Sequence, residues 1–355
     1  MAQIAIIGLG SVGSSIGLAL HRHMQSPDGK GTPFTIVGYD PDPDTQQRAP
    51  KLGSVDRTAG DPAAAVRESA FVILALPTGQ IHEMLRLIAP QLPEGATVTD
   101  TAAGKRQVLA WAAALLPPGV SFVGGHPLPR RVLAPAINPD AVVDEPADAD
   151  LFRGAPYCIM PLASATEAAV NQVISLAETL GAQPFFTDPQ EHDSFHAAIH
   201  DLPVLTSFAL MHVLGSSPSW RDMSPLAGGA FREATRMASS DPLAARADLV
   251  ANRENLLGWI DRYQIALAEL RDLVAASDPA DLESGPGKEL GATLIGGRNA
   301  RTGWLNPQAI LTPEERQAKD TLRRDIQSGS FVRSLFGGFL GDRLPGRDPD
   351  RRDRK

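Results

Sequence analysis

The sequence predicts an α/β protein: a doubly wound parallel sheet followed by an all-α C-terminal domain. Three observations carry that reading. Short β-branched runs alternate with helical patterns as far as Asp188, the strand signals then stop, and a glycine-rich turn follows the first strand directly. A chain of 355 residues is long enough for two domains at roughly 150 residues each. Its apolar share of 43% and charged share of 21% are those of an ordinary globular protein, which excludes wholesale disorder and a coiled-coil rod.

Taken in order, the candidate strands are Ile4–Ile7, Thr35–Tyr39, Phe71–Leu76, Thr97–Asp100 and Phe122–Gly124. Each is short and mostly apolar, as strands covered on both faces are. A further pair, Tyr157–Met160 and Pro184–Thr187, brackets a helix around Thr166–Leu180. The proline-dense stretch Pro127–Pro146 reads as a crossing loop. After Asp188, Pro189–Leu214, Pro225–Ser239 and Pro242–Ala275 read as helices, each opened by proline near its first turn. In the last, Leu249, Leu256, Ile260 and Leu267 form an apolar stripe that fits a dimer interface, and equally a cap packed on the chain's own first domain. Residues 278–306 are glycine-rich and weakly periodic. From Gly337 onward glycine, proline and alternating charge read as a disordered tail.

The 33 basic and 41 acidic side chains leave a net charge of −8. Affinity for nucleic acid comes largely from basic residues that neutralise phosphates, so no nucleic-acid partner is expected. The longest uninterrupted apolar run, Val108–Leu116, falls far short of the roughly 18 residues of a membrane span, so no membrane partner is expected either. No Lys or Arg precedes the apolar start, which reads as a first strand rather than a secretory signal. Cys158 is the only cysteine; this excludes a disulfide framework and a cysteine-built zinc site, and the cytoplasm is the expected compartment.

Gly8-Leu9-Gly10-Ser11-Val12-Gly13 sits between the first strand and an amphipathic helix containing Ile16, Leu18 and Leu20. Each glycine has a mechanical role. Gly8 makes the tight turn, Gly10 lets a pyrophosphate approach the backbone, and Gly13 lets helix and strand pack closely. The helix N-terminus offers free N–H groups and a positive dipole end to phosphates. No lysine follows Gly13, as an ATPase-type loop would need. The pattern is therefore that of a Rossmann-type dinucleotide site. Asp40 ends the second strand, where a carboxylate can accept both adenosine-ribose hydroxyls. Its distance from the glycines exceeds the usual ~20 residues because Gln25–Phe34 reads as a polar insertion. Asp42 and Asp44 follow and no arginine stands beside Asp40, so NAD is expected over NADP.

His126 closes a predicted strand, which puts an imidazole at the carboxyl edge of a parallel sheet, where ligands of such folds bind. With a pKa near working pH it suits proton abstraction from a substrate hydroxyl. A loop-holding hydrogen bond is the alternative. Arg232 and Arg236, four apart on one helix face, would clamp a substrate carboxylate, or else stand as a solvated pair. His192, His196 and His200 form a helical stripe. Straight stripes rarely converge on one ion, and Asp193 stands where the zinc-protease pattern needs Glu, so no metal is expected. The stripe reads as a cleft-lining face, with His200 toward the substrate.

With these residues in place, the sequence resembles the prephenate/arogenate dehydrogenase family of tyrosine biosynthesis. The resemblance rests on Gly38-Tyr39-Asp40, Leu74-Ala75-Leu76-Pro77, Val98-Thr99-Asp100 with Lys105, and Gly124-Gly125-His126-Pro127. It continues through Asp148–Phe152, His192-Asp193, Leu202-Pro203, Phe231-Arg232, Thr235-Arg236, Ser239–Pro242, Asn252 and Asn255. It implies an NAD-dependent oxidative decarboxylation of prephenate or arogenate, with Leu76, Pro77 and Asp100 at the cofactor, and a homodimer built through the helices after Pro189. The departures fall in the substrate half. Ala103 replaces a family serine, and His200-Asp201-Leu202-Pro203-Val204 stands where the family has Ser-His-Leu-Pro-His. They leave two alternatives open: a dehydrogenase of another small carboxylic acid, and a non-catalytic NAD-binding paralogue. The expected domains are an NAD-binding domain over 1–188, a helical substrate and dimerisation domain over 189–276, and an extension over 277–355.

Overall fold

The computed structural model describes residues 2–26, 33–129 and 147–306. The chain divides into two compact units, the first running to Arg253 and the second beginning at Glu254. Compactness therefore places the helices after residue 188 with the first unit, as far as Arg253.

The first unit is built on eight strands: β1 (Ala2–Ile7), β2 (Phe34–Tyr39), β3 (Arg57–Thr58), β4 (Phe71–Leu74), β5 (Thr97–Asp100), β6 (Ser121–Pro127), β7 (Pro156–Pro161) and β8 (Gln183–Phe186). They lie in the order β3-β2-β1-β4-β5-β6-β7-β8. Pairing is parallel from β3 to β6, antiparallel between β6 and β7, and parallel again to β8. The β6–β7 reversal departs from the all-parallel expectation. A parallel return needs a crossover, usually helical, and the proline-dense stretch Pro127–Pro146 carries no helical pattern.

Helices α1 (Ser11–Gln25), α2 (Pro43–Leu52), α3 (Pro62–Val66), α4 (Thr78–Ile88), α5 (Lys105–Leu115) and α6 (Glu167–Thr179) connect the strands. Asp42, Asp61 and Thr166 begin α2, α3 and α6 by accepting the N–H of Thr45, Ala64 and Ala169. Successive residues of a strand face opposite sides, so β1 feeds two apolar layers. Ile4 and Ile6 pack with Ile16, Ile36 and Tyr157 on one face. Ala5 and Ile7 pack with Ile81, Leu85 and Val98 on the other.

Next come α7 (Pro189–His196), a π turn at Ala197–Asp201, α8 (Leu202–Gly215), α9 (Trp220–Met223), α10 (Gly229–Thr235) and α11 (Pro242–Ala251). The helix expected over Pro225–Ser239 narrows to α10 with 3₁₀ turns on either side. The long helix expected over Pro242–Ala275 is broken at Asn252, giving α11 and α12 (Arg253–Ala276). The weakly periodic extension holds a further helix, α13 (Gly285–Leu305). The tail expected to be disordered, residues 337–355, lies outside the described residues.

By length and hydropathy, the run Pro189–Gly215 would pass as a bilayer span, although no uninterrupted apolar stretch of that length lies in it. Its buried side carries His192, Asp193, His196 and Asp201, a polar distribution that belongs against protein rather than lipid.

Candidate active site

The glycines of the first turn behave as three different parts. Gly8 has φ +94°, and a Cβ there would lie 2.2 Å from the Ala75 carbonyl oxygen. A Cβ on Gly13 would lie 1.9 Å from the Gly8 carbonyl oxygen, so helix and strand touch through it. At Gly10 a Cβ would meet nothing within 4 Å; that side of the turn is open. Ser11 Oγ is sealed from water and has no hydrogen-bond partner. Leu9 N–H donates to Asp40 Oδ2 at 2.6 Å, and Asp42 N–H to Oδ1 at 2.9 Å, which fixes the carboxylate beside the turn. Val12 packs against the core, Leu76 is buried over Gly8, and exposed Pro77 leads into α4. An open glycine, an orphaned hydroxyl and an uncapped helix start fit the pyrophosphate of a dinucleotide, with Asp40 placed for the ribose.

Asp100 does something other than expected. Its carboxylate is fully enclosed, receives Lys105 Nζ at 2.5 Å, and accepts the N–H groups of Ala102 (3.0 Å) and Gly125 (3.1 Å). No surface of it is left for a cofactor, so its role is to position the loop after β5. Lys105 also donates to the Gly125 carbonyl at 2.6 Å. Burial lowers the Lys105 pKa, and the Asp100 charge opposes that. The Gly124-Gly125 pair before His126 follows from this crowding: a Cβ on Gly125 would lie 2.6 Å from the Asp100 carbonyl and 2.7 Å from the Tyr157 hydroxyl.

His126, on β6 opposite Cys158, is buried. Its Nδ1 lies 2.9 Å from His192 Nε2, and His192 Nδ1 lies 3.0 Å from Asp193 Oδ1. Burial, and then the fields of His196, His192, Lys105 and His200, push the His126 pKa well below the usual histidine range. It is therefore a neutral base at neutral pH. Burial also pushes the Cys158 thiol up to about 11, which leaves no thiolate for chemistry.

The π turn explains the rest of the cluster. His196 and His200 are neighbours on any helix, four residues apart; the extra residue adds Asp201, five after His196, to the same face. His196 Nδ1 (3.0 Å) and His200 Nδ1 (3.3 Å) both face Asp201 Oδ1, and Asn252 Nδ2 donates to Oδ2 at 2.8 Å. Burial alone would raise the Asp201 pKa, but these hydrogen bonds hold it well below the usual carboxylate range. The metal-like convergence is thus a satisfied polar network. His200 is its half-exposed outer member, its ring 4.5 Å from that of His196. Asp248 on α11 reaches Thr78 at the start of α4; burial, and then Asp201, raise its pKa.

Residues 28–185 match the family described as prephenate dehydrogenase, nucleotide-binding domain, and residues 188–285 match prephenate dehydrogenase, dimerization domain. The chain belongs to the prephenate dehydrogenase family. It is 30% identical to prephenate dehydrogenase of Bacillus subtilis over 79% of this chain and 72% of that protein. It is 28% identical to cyclohexadienyl dehydrogenase of Zymomonas mobilis over 78% of this chain and 89% of that protein. Among solved structures, prephenate dehydrogenase of Aquifex aeolicus, in complex with hydroxyphenyl propionate and NAD+, superposes with a TM-score of 0.71 at 26% identity. That match covers 85% of this chain and 98% of the other.

Within this family the departures acquire a structural meaning. Asp201, where the pattern has histidine, is the acceptor that gathers two neighbouring histidines. Val204, where it has a second histidine, is buried and offers no polar contact. Arg232 and Arg236 do not share one helix: α10 ends at Thr235 and Arg236 opens a 3₁₀ turn. Arg232 is exposed and Arg236 half-buried. Ser207 of α8 holds this segment by donating to the Ala234 carbonyl at 2.9 Å, so it is braced on the helix that continues from His200. No hydrogen bond joins either arginine to the histidine cluster among the described residues. The sequence marks Lys105, Asp193 and Asn252 only as motif positions, His192 and His196 as members of a cleft-lining stripe and Asp201 as a departure, with no individual role for any of them, and Asp248 carries no signal.

Proposed function

We infer that this protein is an NAD-dependent dehydrogenase that oxidises prephenate or arogenate with loss of carbon dioxide, in tyrosine biosynthesis. One observation carries the reading. Adjacent strands β1, β4, β5 and β6 bring Gly8, Ala75–Pro77, Ala102 and His126 to one carboxyl edge, so a neutral buried base shares that edge with a dinucleotide cradle. Gly8, Leu9, Gly10, Ser11, Val12, Gly13 and Asp40 would hold NAD, which when bound supplies the hydride acceptor. His126 accepts the hydroxyl proton as hydride leaves the same carbon. Expulsion of carbon dioxide then aromatises the ring, and the new phenolic oxygen takes the proton back. Arg236, with Arg232, is assigned to a substrate carboxylate and His200 to the outer face of the site. Reductases that use a helical lysine as proton donor are disfavoured, because Lys105 is locked onto Asp100.

The same reading includes a homodimer. On α12, Leu257, Ile265, Leu267 and Val274 are exposed, and on α13 Leu294 and Trp304 are exposed as well, more apolar surface than two helices leave to water. Light scattering should report twice the 37.7 kDa of the monomer. A lone buried thiol agrees with a reducing, cytoplasmic setting.

The deciding assay incubates the purified full chain with NAD and either prephenate or arogenate, following NADH and carbon dioxide together. Equal release of both is expected. NADH without carbon dioxide would mean another acid, and NAD binding without turnover a non-catalytic paralogue.

A further inference from the structure

We propose that His192 and Asp193 are a positioning pair that fixes His126 as its Nδ1–H tautomer, so that Nε2 is the atom that receives the substrate proton. This rests on the reading of His126 as the base. The assignment follows from which atoms can only donate. The backbone N–H groups of Lys105 (2.9 Å) and Arg106 (3.0 Å) donate to Asp193 Oδ1 and Oδ2 respectively. The side chain of Asp193 is therefore an acceptor, held across the start of α5, and the His192 Nδ1 that faces Oδ1 at 3.0 Å must donate. A neutral His192 then has its lone pair on Nε2. That lone pair lies 2.9 Å from His126 Nδ1, which must in turn donate. The His126 lone pair is left on Nε2.

The neutral state of His192 agrees with its burial, which lowers its pKa although Asp193 raises it. Asn252 braces the same pair by donating to the Asp193 carbonyl at 2.9 Å. When Nε2 of His126 takes the substrate proton, the Nδ1 proton can shift to His192 Nε2. One N–H bond breaks and one forms, and the positive charge moves toward the Asp193 carboxylate. Lys105 and His196 oppose a positive charge on either ring, so the Asp193 carboxylate, which faces His192 at 3.0 Å, is what favours the shift.

The test uses four variants of the full chain. Asp193→Ala leaves His192 Nδ1 without its acceptor, so the tautomer of His192 is no longer fixed and the His126 proton is free to sit on Nε2. A wrong tautomer of this kind costs about 10⁴ in turnover in serine proteases. Here kcat should fall by about 10² or more with KM within a few-fold. His192→Leu should lose a similar amount. His192→Gln, whose amide oxygen can accept from Nδ1–H, should recover most of it. A merely structural role would lower both His192 variants alike. Independently of turnover, ¹⁵N spectra of histidine-labelled protein, assigned with His126→Asn, should show a protonated Nδ1 in wild type and a population with a protonated Nε2 in Asp193→Ala. A wild-type kcat in Asp193→Ala, or a His126 with its proton on Nε2 in wild type, would overturn the pair. If His126→Asn itself keeps turnover, the base assignment fails instead, and the spectra still decide the tautomer.

Discussion

The two halves of this site are made of different materials. The cofactor half is mostly backbone: three glycines within six residues, one orphaned hydroxyl and one carboxylate at the end of the neighbouring strand. The proton-accepting half is a web of side chains drawn from distant positions, with His126 and His192 separated by 66 residues and Lys105 and Asp193 by 88. The difference explains why one half keeps its motif and the other is rewritten. A backbone cradle forbids change only where a Cβ has no room. A buried polar web can exchange members, provided every donor and acceptor keeps a partner. Asp201 shows such an exchange: a carboxylate sits where the family has histidine, and His196, His200 and Asn252 have regrouped on it.

The comparison breaks first at His126. His126→Asn should lower kcat by roughly 10² to 10⁴ while leaving NAD affinity unchanged, because the base contributes to the chemical step and nothing to the cradle. Stopped-flow turnover and NAD titration by fluorescence measure the two separately. A variant that lost both together would show that the halves are not independent.

Within the cradle, the glycines should separate from one another. Gly8→Ala forces a side chain onto the Ala75 carbonyl at φ +94°, and should cost about 2 kcal/mol or more of stability. Gly10→Ala meets nothing within 4 Å and sits at φ −63°, which alanine adopts freely. Its melting temperature should stay at the wild-type value while NAD binding weakens by about tenfold, or about 1.4 kcal/mol. If Gly10→Ala destabilises the free protein, the open side of the turn is not a ligand face.

How much of this was legible before the structure follows the same division. The cradle could be read because its residues are contiguous and each glycine answers to a local constraint. His126 could be read because a strand end fixes its place on the sheet. Asp100 could be located but not understood: its partner Lys105 is five residues away, yet only the fold shows the pair closed around the Gly125 carbonyl. The π turn left no mark, since one extra residue in a helix changes neither composition nor period over so short a run, and it alone brings Asp201, five residues on, onto His196. Asn252 ends α11 by spending its amide on Asp193 and Asp201, a tertiary contact that overrides an otherwise continuous helical pattern.

The histidine web should also show in stability against pH. His126 and His192 stay neutral in the fold to below the ordinary value of 6.5, chiefly through burial. In the unfolded chain they protonate near 6.5, so below that pH the unfolded state binds more protons. Their contribution is fully present above pH 6.5 and is lost as pH falls toward their folded pKa values. Denaturant midpoints between pH 7.5 and 5.5 should fall, and His126→Asn should flatten part of the slope. The groups facing them, Lys105, His196, His200 and Asp193, remain in that variant. An unchanged slope would mean that His126 protonates in the fold as readily as in water.

The smallest expected effect concerns which dinucleotide the cradle prefers. Asp40 holds Leu9 N–H through Oδ2 and Asp42 N–H through Oδ1, so removing the whole carboxylate would loosen the turn as well as the ribose site. Asp40→Asn disturbs the turn less, giving up the bond from Asp42 N–H and keeping the one from Leu9. Its amide oxygen can still accept from Leu9, while the negative charge that repels a 2′-phosphate is gone. Losing one charge-assisted hydrogen bond to the ribose costs about 1.5–3 kcal/mol at most, and less at a half-exposed site. NAD affinity should therefore drop about tenfold or less, and the NAD-to-NADP ratio should fall further than NAD affinity alone, because NADP gains from the lost repulsion. Paired titrations with the two dinucleotides at fixed ionic strength measure that ratio. Wild-type protein that binds NADP as well as NAD, or an Asp40→Asn ratio equal to the wild-type one, would show that Asp40 serves the turn and not the choice of cofactor.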